Sequence, residues 1–234
     1  KRQRLAPDLS LALGSSSFSP AEMVRAYSIL ANSENPKDPF FIEKILNRQG
    51  DVIYKHSSSP EEKNSQESVD AFPWFQTQIA DETKPFTLLP SISNFSDPID
   101  PRVTFITKDI LREALSRGSN ARQVKVLKRD DIAGKTGTTN NSISTWFSGF
   151  HNNLATTVWV GTDDFSSLGD NEFGSSIALP TWVDFMKIAL LELPNEMWKS
   201  PEGLSYVRVD RDTGKPTDQA SKNAYFELLL EEKN

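Results

Sequence analysis

The chain has 234 residues, enough to bury a hydrophobic core in one large domain or two small ones. Its formal net charge of −6 argues against a nucleic-acid partner, which needs a basic face, and the absence of cysteine excludes disulfides, thiol catalysis and cysteine-ligated zinc. No apolar run approaches the roughly 18 residues that would span a bilayer, and no signal peptide follows Lys1. The start resembles a cut inside a longer protein, so we expect any targeting or anchoring segment upstream.

The first predicted elements are a helix and a hairpin. Ser19, Pro20 and Glu22 have the pattern of a capping box with a proline in the first turn. A helix is therefore predicted to begin here and to fade near Asn32. Residues 39–54 then read as two strands joined by a turn.

The segment 56–101 has no clear period and is predicted to be a long irregular excursion. Beyond it, apolar residues at helical spacing predict a helix from Val103 to Leu115 that stops at Gly118. Residues 144–161 read as two strands with a short link. Together with the strand-like run before them, they predict an antiparallel sheet.

Two further elements close the chain. A helix that opens at Pro180 is predicted to carry five apolar side chains on one face: Trp182, Phe185, Met186, Ala189 and Leu190. Residues 204–210 predict a final strand, and an acidic tail follows it. The predicted fold class is α/β of the α+β kind, an antiparallel sheet flanked by helices.

The clearest chemical signal is the run Lys-Thr-Gly-Thr at 135–138. Thr136 and Thr138 occupy alternate positions, so both hydroxyls project to one side of an extended strand, where both can donate to a carboxylate. Lys135 adds positive charge, and Gly137 lets a substrate lie flat against the backbone. The strand edge can pair with an extended peptide, and the Thr138 N–H can stabilise an oxyanion. The run predicts a site that holds a peptide carboxylate while the peptide's amide is attacked.

Two other readings of this run compete. The segment Gly134-Lys135-Thr136 also ends a phosphate-binding P-loop, which requires a glycine five positions earlier and a helix immediately afterwards. Arg129 occupies that earlier position, and a turn and a strand are predicted to follow, so a nucleotide site is not favoured. The run is otherwise a tight turn rich in small residues.

The wider context carries a resemblance to a known family. Residues 131–186 resemble the end of the transpeptidase domain of class A penicillin-binding proteins, most like the Gram-negative 1a type. The resemblance extends over residues 9–14 with the helix after them, the hairpin 40–54 and residues 177–183. It implies a penicillin-binding transpeptidase or serine β-lactamase-like fold, of which the chain holds only part.

By this resemblance, residues 1–192 form the C-terminal portion of a transpeptidase domain, and 193–234 form a C-terminal strand with its acidic tail. Lys135 would hold the electrostatics and the proton network. Thr136 and Thr138 would bind the terminal carboxylate across Gly137, and the Thr138 N–H would supply half the oxyanion hole. The implied substrate is a stem peptide ending in D-Ala-D-Ala, and β-lactams would acylate the same serine. Neither a cofactor nor a metal is expected.

The family's nucleophile is not found in this chain. The family carries Ser-x-x-Lys, then Ser-x-Asn, then Lys-Thr-Gly, and no Ser-x-x-Lys occurs here. Ser33 and Ser221 each begin a Ser-x-Asn match, but chance accounts for both, and neither has the right place in the order. We therefore expect the chain to start after the first two motifs, and to be inactive and unable to bind penicillin alone.

The resemblance also implies a cellular setting. The parent protein would carry a glycosyltransferase domain and an N-terminal anchor on the periplasmic face of the bacterial inner membrane. Two alternatives stay open. A serine β-lactamase needs a deacylating carboxylate, for which no candidate is identified. A non-catalytic module that binds peptides or partners is consistent with the missing serine motif.

Several conspicuous side chains have ordinary structural readings. The histidines at 56 and 151 lie far apart without ligand-like spacing and are predicted to lie at the surface. The tryptophans at 146, 159 and 182 are predicted to belong to the core. The acidic pair at 163–164 is predicted to lie in a solvated loop.

Overall fold

The computed structural model describes residues 9, 14, 16–32, 40, 42–56, 99–218 and 223–231. Helices in this part of the chain are α1 (Pro20–Asn32), α2 (Pro101–Arg117), α3 (Ala121–Val124) and α4 (Ala178–Ala189). Strands are β1 (Lys44–Leu46), β2 (Val52–Lys55), β3 (Ala133–Thr138), β4 (Ser144–His151), β5 (Leu154–Gly161), β6 (Leu204–Asp210) and β7 (Ala224–Leu230). Short 3-10 turns lie at Lys125–Leu127 and Asn140–Ser142.

The chain divides into two compact units, residues 1–17 with 36–95, and residues 18–35 with 96–234. The first unit contains the hairpin of β1 and β2, in which Ile45 lies opposite Tyr54. The predicted hairpin is confirmed, although its first strand is shorter than expected. The predicted excursion falls almost entirely on residues 57–98, which lie outside the described residues.

The second unit contains a three-stranded antiparallel sheet in the order β3-β4-β5. One face packs against α1 and α2 in a cluster around Ala133 and Phe150. The opposite face packs against α4 in a cluster around Phe147, whose ring lies 4.8 Å from that of Trp182 between centroids. The predicted antiparallel sheet flanked by helices is confirmed.

The predicted start of α1 and the predicted stop of α2 at Gly118 are confirmed, whereas α2 begins at Pro101, before the predicted Val103. The Ser19 amide donates to the Glu22 carboxylate at 2.8 Å, and the Glu22 amide donates to the Ser19 hydroxyl at 3.3 Å. At the start of α2, Asp100 accepts from the Arg102 amide at 2.9 Å. The Gly118 amide then closes the helix by donating to the Ala114 carbonyl at 3.1 Å.

Helix α4 begins two residues before Pro180, which is tolerated inside the first turn. Trp182 and Met186 are fully buried, as predicted, but Phe185 is 49% exposed, so the predicted apolar face is wrong at this position. The buried face of α4 instead includes Leu179, Val183 and the buried residues one helical turn away from them. Among the predicted core tryptophans, Trp182 is confirmed.

Trp159 is 39% exposed, so its assignment to the core is wrong. It lies directly opposite Trp146 across β4 and β5, with ring centroids 6.2 Å apart. The two rings therefore form a cross-strand pair on the sheet surface. The solvated loop at 163–164 is confirmed, because both residues are exposed.

The C-terminal region contains one strand more than the sequence predicted. β6 pairs with β7 along its whole length, from Leu204 opposite Leu230 to Asp210 opposite Ala224. The segment expected to be an acidic tail therefore includes a hairpin strand. Leu228 is buried on that strand, at 5% exposure. None of the helices among the described residues is long and apolar enough to cross a membrane.

Candidate active site

Strand β3 changes character along its length. Ala133 and Gly134 are buried, whereas Lys135 and Thr138 are exposed. A side chain at position 134 would lie 2.8 Å from the Phe147 ring and from the Ser148 carbonyl oxygen, so only glycine fits there. The strand thus enters from the core and presents the predicted site residues at its far end.

The free edge of β3 presents backbone groups of the predicted site. Within the described residues β3 pairs only with β4. The Thr139 amide donates to the Ser144 carbonyl on β4 at 3.1 Å. Successive residues of an antiparallel strand point their N–H and C=O groups to alternate sides. The N–H and C=O groups of Thr136 and Thr138 therefore face away from β4, along the open edge.

The Lys135 ammonium folds back over this edge. Its Nζ lies 3.2 Å from the Thr136 carbonyl oxygen and 3.5 Å from the Thr136 hydroxyl. Lys135 itself is exposed, so its charge is available to an incoming anion. An ammonium and a hydroxyl placed together make a donor pair suited to a carboxylate.

The Thr138 side chain is contacted by the segment that precedes α4. The Gly174 amide donates to the Thr138 hydroxyl oxygen at 3.0 Å, and Gly174 is buried in the segment before α4. Thr136 and Thr138 lie opposite Phe147 and Thr145 in the β3–β4 register, so both project from the same face, as predicted.

Gly137 lies between the two threonines and directly opposite Trp146. A Cβ at position 137 would lie 3.2 Å from the Trp146 Cβ, a close but adjustable contact. The glycine thus leaves room for the tryptophan on one face and keeps the strand surface flat. Only the flat strand surface was predicted from the sequence.

The base of β3 is fixed by a buried ion pair that is not apparent from the sequence. Asp131 is fully buried and accepts from Arg129 Nε at 2.8 Å and from Arg129 Nη2 at 2.7 Å. Arg129 also donates to the carbonyls of Leu190, Leu193 and Pro194, just after α4. The Glu196 amide completes the set by donating to Asp131 at 2.8 Å. We refer to the pair Arg129–Asp131 with these partners as the base clamp.

His151 belongs to the same cluster, so its predicted surface position is wrong. It is 1% exposed, and its Nε2 lies 3.2 Å from Asp131 Oδ2. The Asn153 amide donates to its Nδ1 at 3.2 Å, and Arg129 Nη2 lies 3.2 Å from its Nε2. His56, by contrast, stacks on Phe40 with ring centroids 4.1 Å apart.

Sequence spacing gave no signal for the base clamp, because Arg129 and Asp131 bind groups 61 to 65 residues away. An aspartate and an arginine just before a buried strand were the available clue. The described ranges hold no cluster of three or more histidine, cysteine, aspartate or glutamate residues that would suit a metal ion.

Residues 4–162 match the family described as the penicillin binding protein transpeptidase domain. The chain belongs to this family, as its resemblance indicated. Penicillin-binding protein 1A of Pseudomonas aeruginosa is 32% identical over 99% of the chain, and that of Aquifex aeolicus is 36% identical over 84% of it.

A solved structure agrees with these sequence matches. The crystal structure of penicillin-binding protein 1A from Haemophilus influenzae has a TM-score of 0.72 and 29% identity, and the match covers the whole chain but 36% of that protein. The chain spans 30% of the length of the Pseudomonas protein and 22% of the Aquifex protein.

Proposed function

We propose that the open edge of β3 binds the terminal carboxylate of a peptide as one wall of a peptidoglycan D,D-transpeptidase. One observation carries this proposal. The Lys135 ammonium, the Thr136 and Thr138 hydroxyls and the outward-facing backbone groups of β3 all lie at the far end of this strand, beside its free edge. Family membership supports the reaction class, because the matching family is a transpeptidase domain.

In the proposed complex the substrate peptide lies along β3 as an added strand. Thr136 and Thr138 donate to its carboxylate from one face, and Lys135 supplies positive charge from the edge. The Thr138 N–H faces the same edge and donates to the oxyanion that forms when the penultimate carbonyl is attacked. Gly137 has no side chain to separate the peptide from the strand.

The proposed reaction is serine acyl transfer in two steps. A serine oxygen attacks the carbonyl of the D-Ala-D-Ala bond, the C–N bond breaks, and protonated D-Ala leaves, so that an ester remains on the serine. An amine of a neighbouring stem peptide then attacks that ester, and the serine recovers its proton. The chain holds no Ser-x-x-Lys motif, so we place the nucleophile outside these 234 residues and expect this chain alone to be inactive.

The proposed function has a cellular setting and a class of inhibitors. The intact protein would act at the periplasmic face of the inner membrane, carry an N-terminal anchor and a glycosyltransferase domain, and be acylated by β-lactams. The comparisons do not favour a serine β-lactamase or a non-catalytic module, because the similar proteins are named penicillin-binding proteins.

Binding and chemistry can be tested separately. In an NMR titration of the isotope-labelled chain, N-acetyl-D-alanyl-D-alanine should shift the backbone amide signals of residues 135–138. The derivative of this peptide that ends in an amide, and so lacks the carboxylate, should bind about tenfold more weakly. Equal affinity for acid and amide would contradict the carboxylate site.

Fluorescent penicillin tests where the nucleophile lies. It should label the full-length parent protein and leave the 234-residue chain unlabelled. Covalent label on the isolated chain would refute an external nucleophile. A whole product that binds the acid peptide but takes no label would instead favour the non-catalytic module.

A further inference from the structure

The segment between β5 and α4 is fixed in place independently of β3. The Gly174 carbonyl accepts from the Leu179 amide in the first turn of α4 at 2.8 Å, and the Ser175 carbonyl accepts from the Gln123 side chain at 3.1 Å. Upstream, the Leu168 amide donates to the Ser142 carbonyl at 2.9 Å. These contacts hold the backbone of Gly174 at a set position.

Gly174 lies against β3 and β4 so closely that no side chain fits. A Cβ at position 174 would lie 2.5 Å from the Trp146 carbonyl oxygen, 2.8 Å from the Gly137 carbonyl oxygen and 3.2 Å from the Thr136 Cβ. Two of these neighbours are backbone atoms of paired strands, which cannot give way without disturbing the sheet. The close approach brings the Gly174 amide to 3.0 Å from the Thr138 hydroxyl oxygen.

This contact restricts the directions in which the Thr138 hydroxyl can donate its hydrogen. A hydroxyl has one hydrogen to donate and two lone pairs to accept with. Because the Gly174 N–H occupies a lone pair, the hydrogen must point elsewhere. No acceptor for it is found among the described residues, and Thr138 is exposed at the edge of β3. The hydroxyl is therefore held as an outward donor.

We propose that Gly174 is a positioning residue for substrate binding: its N–H orients the Thr138 hydroxyl as a donor to the peptide carboxylate. This inference rests on the proposed function of β3 and adds the segment before α4 to the carboxylate site. Position 174 has to be glycine because any larger residue moves that N–H away from Thr138. An oriented donor avoids the cost of ordering the hydroxyl when the ligand binds.

A double-mutant cycle tests the coupling in the 234-residue chain. The readout is the affinity ratio of N-acetyl-D-alanyl-D-alanine to its C-terminal amide, measured by NMR titration. Gly174→Ala and Thr138→Val should each lower this ratio about fivefold, and the double variant should lower it no further. Thr138→Ser keeps the hydroxyl and should keep the ratio. Ser175→Ala, in the same segment, should also leave it unchanged.

The outcomes separate this inference from the proposed function. A preference for the acid that survives Gly174→Ala, or losses that add in the double variant, overturns the role of Gly174 alone. Equal binding of acid and amide by the unmodified chain overturns the carboxylate site and this role with it. If Gly174→Ala does not fold, the Gly174 amide proton decides: it should move upfield in Thr138→Val and stay in Thr138→Ser. An unchanged shift in Thr138→Val overturns the proposal.

Discussion

The two ends of β3 differ in burial and in the contacts that support them. The buried base, at Ala133 and Gly134, follows an aspartate with no exposed surface and packs between helices on both faces of the sheet. Within the part of the chain that the structure describes, the far end, from Lys135 to Thr138, has a free edge and a supporting contact from Gly174. The contrast shows how one strand can be firmly packed at its base and still keep an exposed edge at its far end.

The largest expected effect comes from breaking the base clamp. Asp131→Asn removes the charge that pairs with Arg129, which stays buried at 9% side-chain exposure. An unpaired buried charge is strongly destabilising, so we expect a loss of about 3–5 kcal/mol in the free energy of unfolding, measured by guanidinium denaturation. Asp130→Asn, an exposed neighbour, should leave the midpoint unchanged. A similar midpoint for both variants would show that the clamp is not important for stability.

The next largest effect is expected when a methyl group is added at either end of β3. Gly134→Ala forces a Cβ to 2.8 Å from the Phe147 ring and from the Ser148 backbone, which should cost about 1–3 kcal/mol in the free energy of unfolding. Gly137→Ala meets only the Trp146 Cβ at 3.2 Å and should cost less than about 1 kcal/mol. Thermal melts of both variants check the order. Equal losses would mean that the far end is packed as tightly as the base.

A smaller, pH-dependent effect is expected on the side of the sheet that α1 and α2 cover. Lys108 on α2 is 6% exposed, and its Nζ donates to the Ala31 carbonyl at 3.0 Å and lies 5.7 Å from the Trp198 ring centroid. Burial lowers the pKa of Lys108 from 10.5 to about 8. Between pH 8 and 10.5 the unfolded chain therefore binds more protons than the folded one, and stability from this group rises with pH.

Comparison with Lys108→Met isolates this contribution. Relative to that variant, the unmodified chain should gain about 1–2 kcal/mol in the free energy of unfolding from pH 8 to pH 10.5, after allowing for solvent screening. Denaturant titrations at several pH values measure the difference. A difference that is flat or falls with pH would rule out a buried ammonium at Lys108.

The smallest effect on stability is expected at the open end. Lys135→Met removes an exposed ammonium whose protein contacts are confined to Thr136 among the described residues, so the free energy of unfolding should change by less than about 0.5 kcal/mol. Affinity for N-acetyl-D-alanyl-D-alanine should nevertheless fall about tenfold. Lys187→Met on α4, also exposed, serves as the matched control. A large loss of stability in Lys135→Met would show that this end is structural after all.

Local sequence signals predicted much of this fold. The capping box at Ser19, the Gly118 stop and the closely linked β4 and β5 each depend on residues near one another in the chain. The strand at 135–138 was predicted for the same reason. Its glycines and alternating threonines lie close in sequence to the strand that pairs with it. The proposed roles of these residues remain predictions.

Features that depend on distant partners could not be predicted. Trp159 reads as core, but its burial depends on what covers that face of β5. His151 reads as a surface residue because nothing nearby in sequence shows that Asp131 lies next to it. Gly174 stands 36 residues from Thr138, so its contact with the site appears only in the folded chain. Helical periodicity likewise placed Phe185 on the wrong side of the buried stripe.

The spacing of the base clamp along the chain has a consequence for the order of folding. β3, β4 and β5 follow one another with short connections, so their pairing closes only small loops. The clamp, by contrast, joins Arg129 to carbonyls 61 and 64 residues away. We expect the three-stranded sheet to form first and the base clamp to close after the main folding barrier. Arg129→Met should then speed unfolding in stopped-flow experiments and leave the folding rate nearly unchanged.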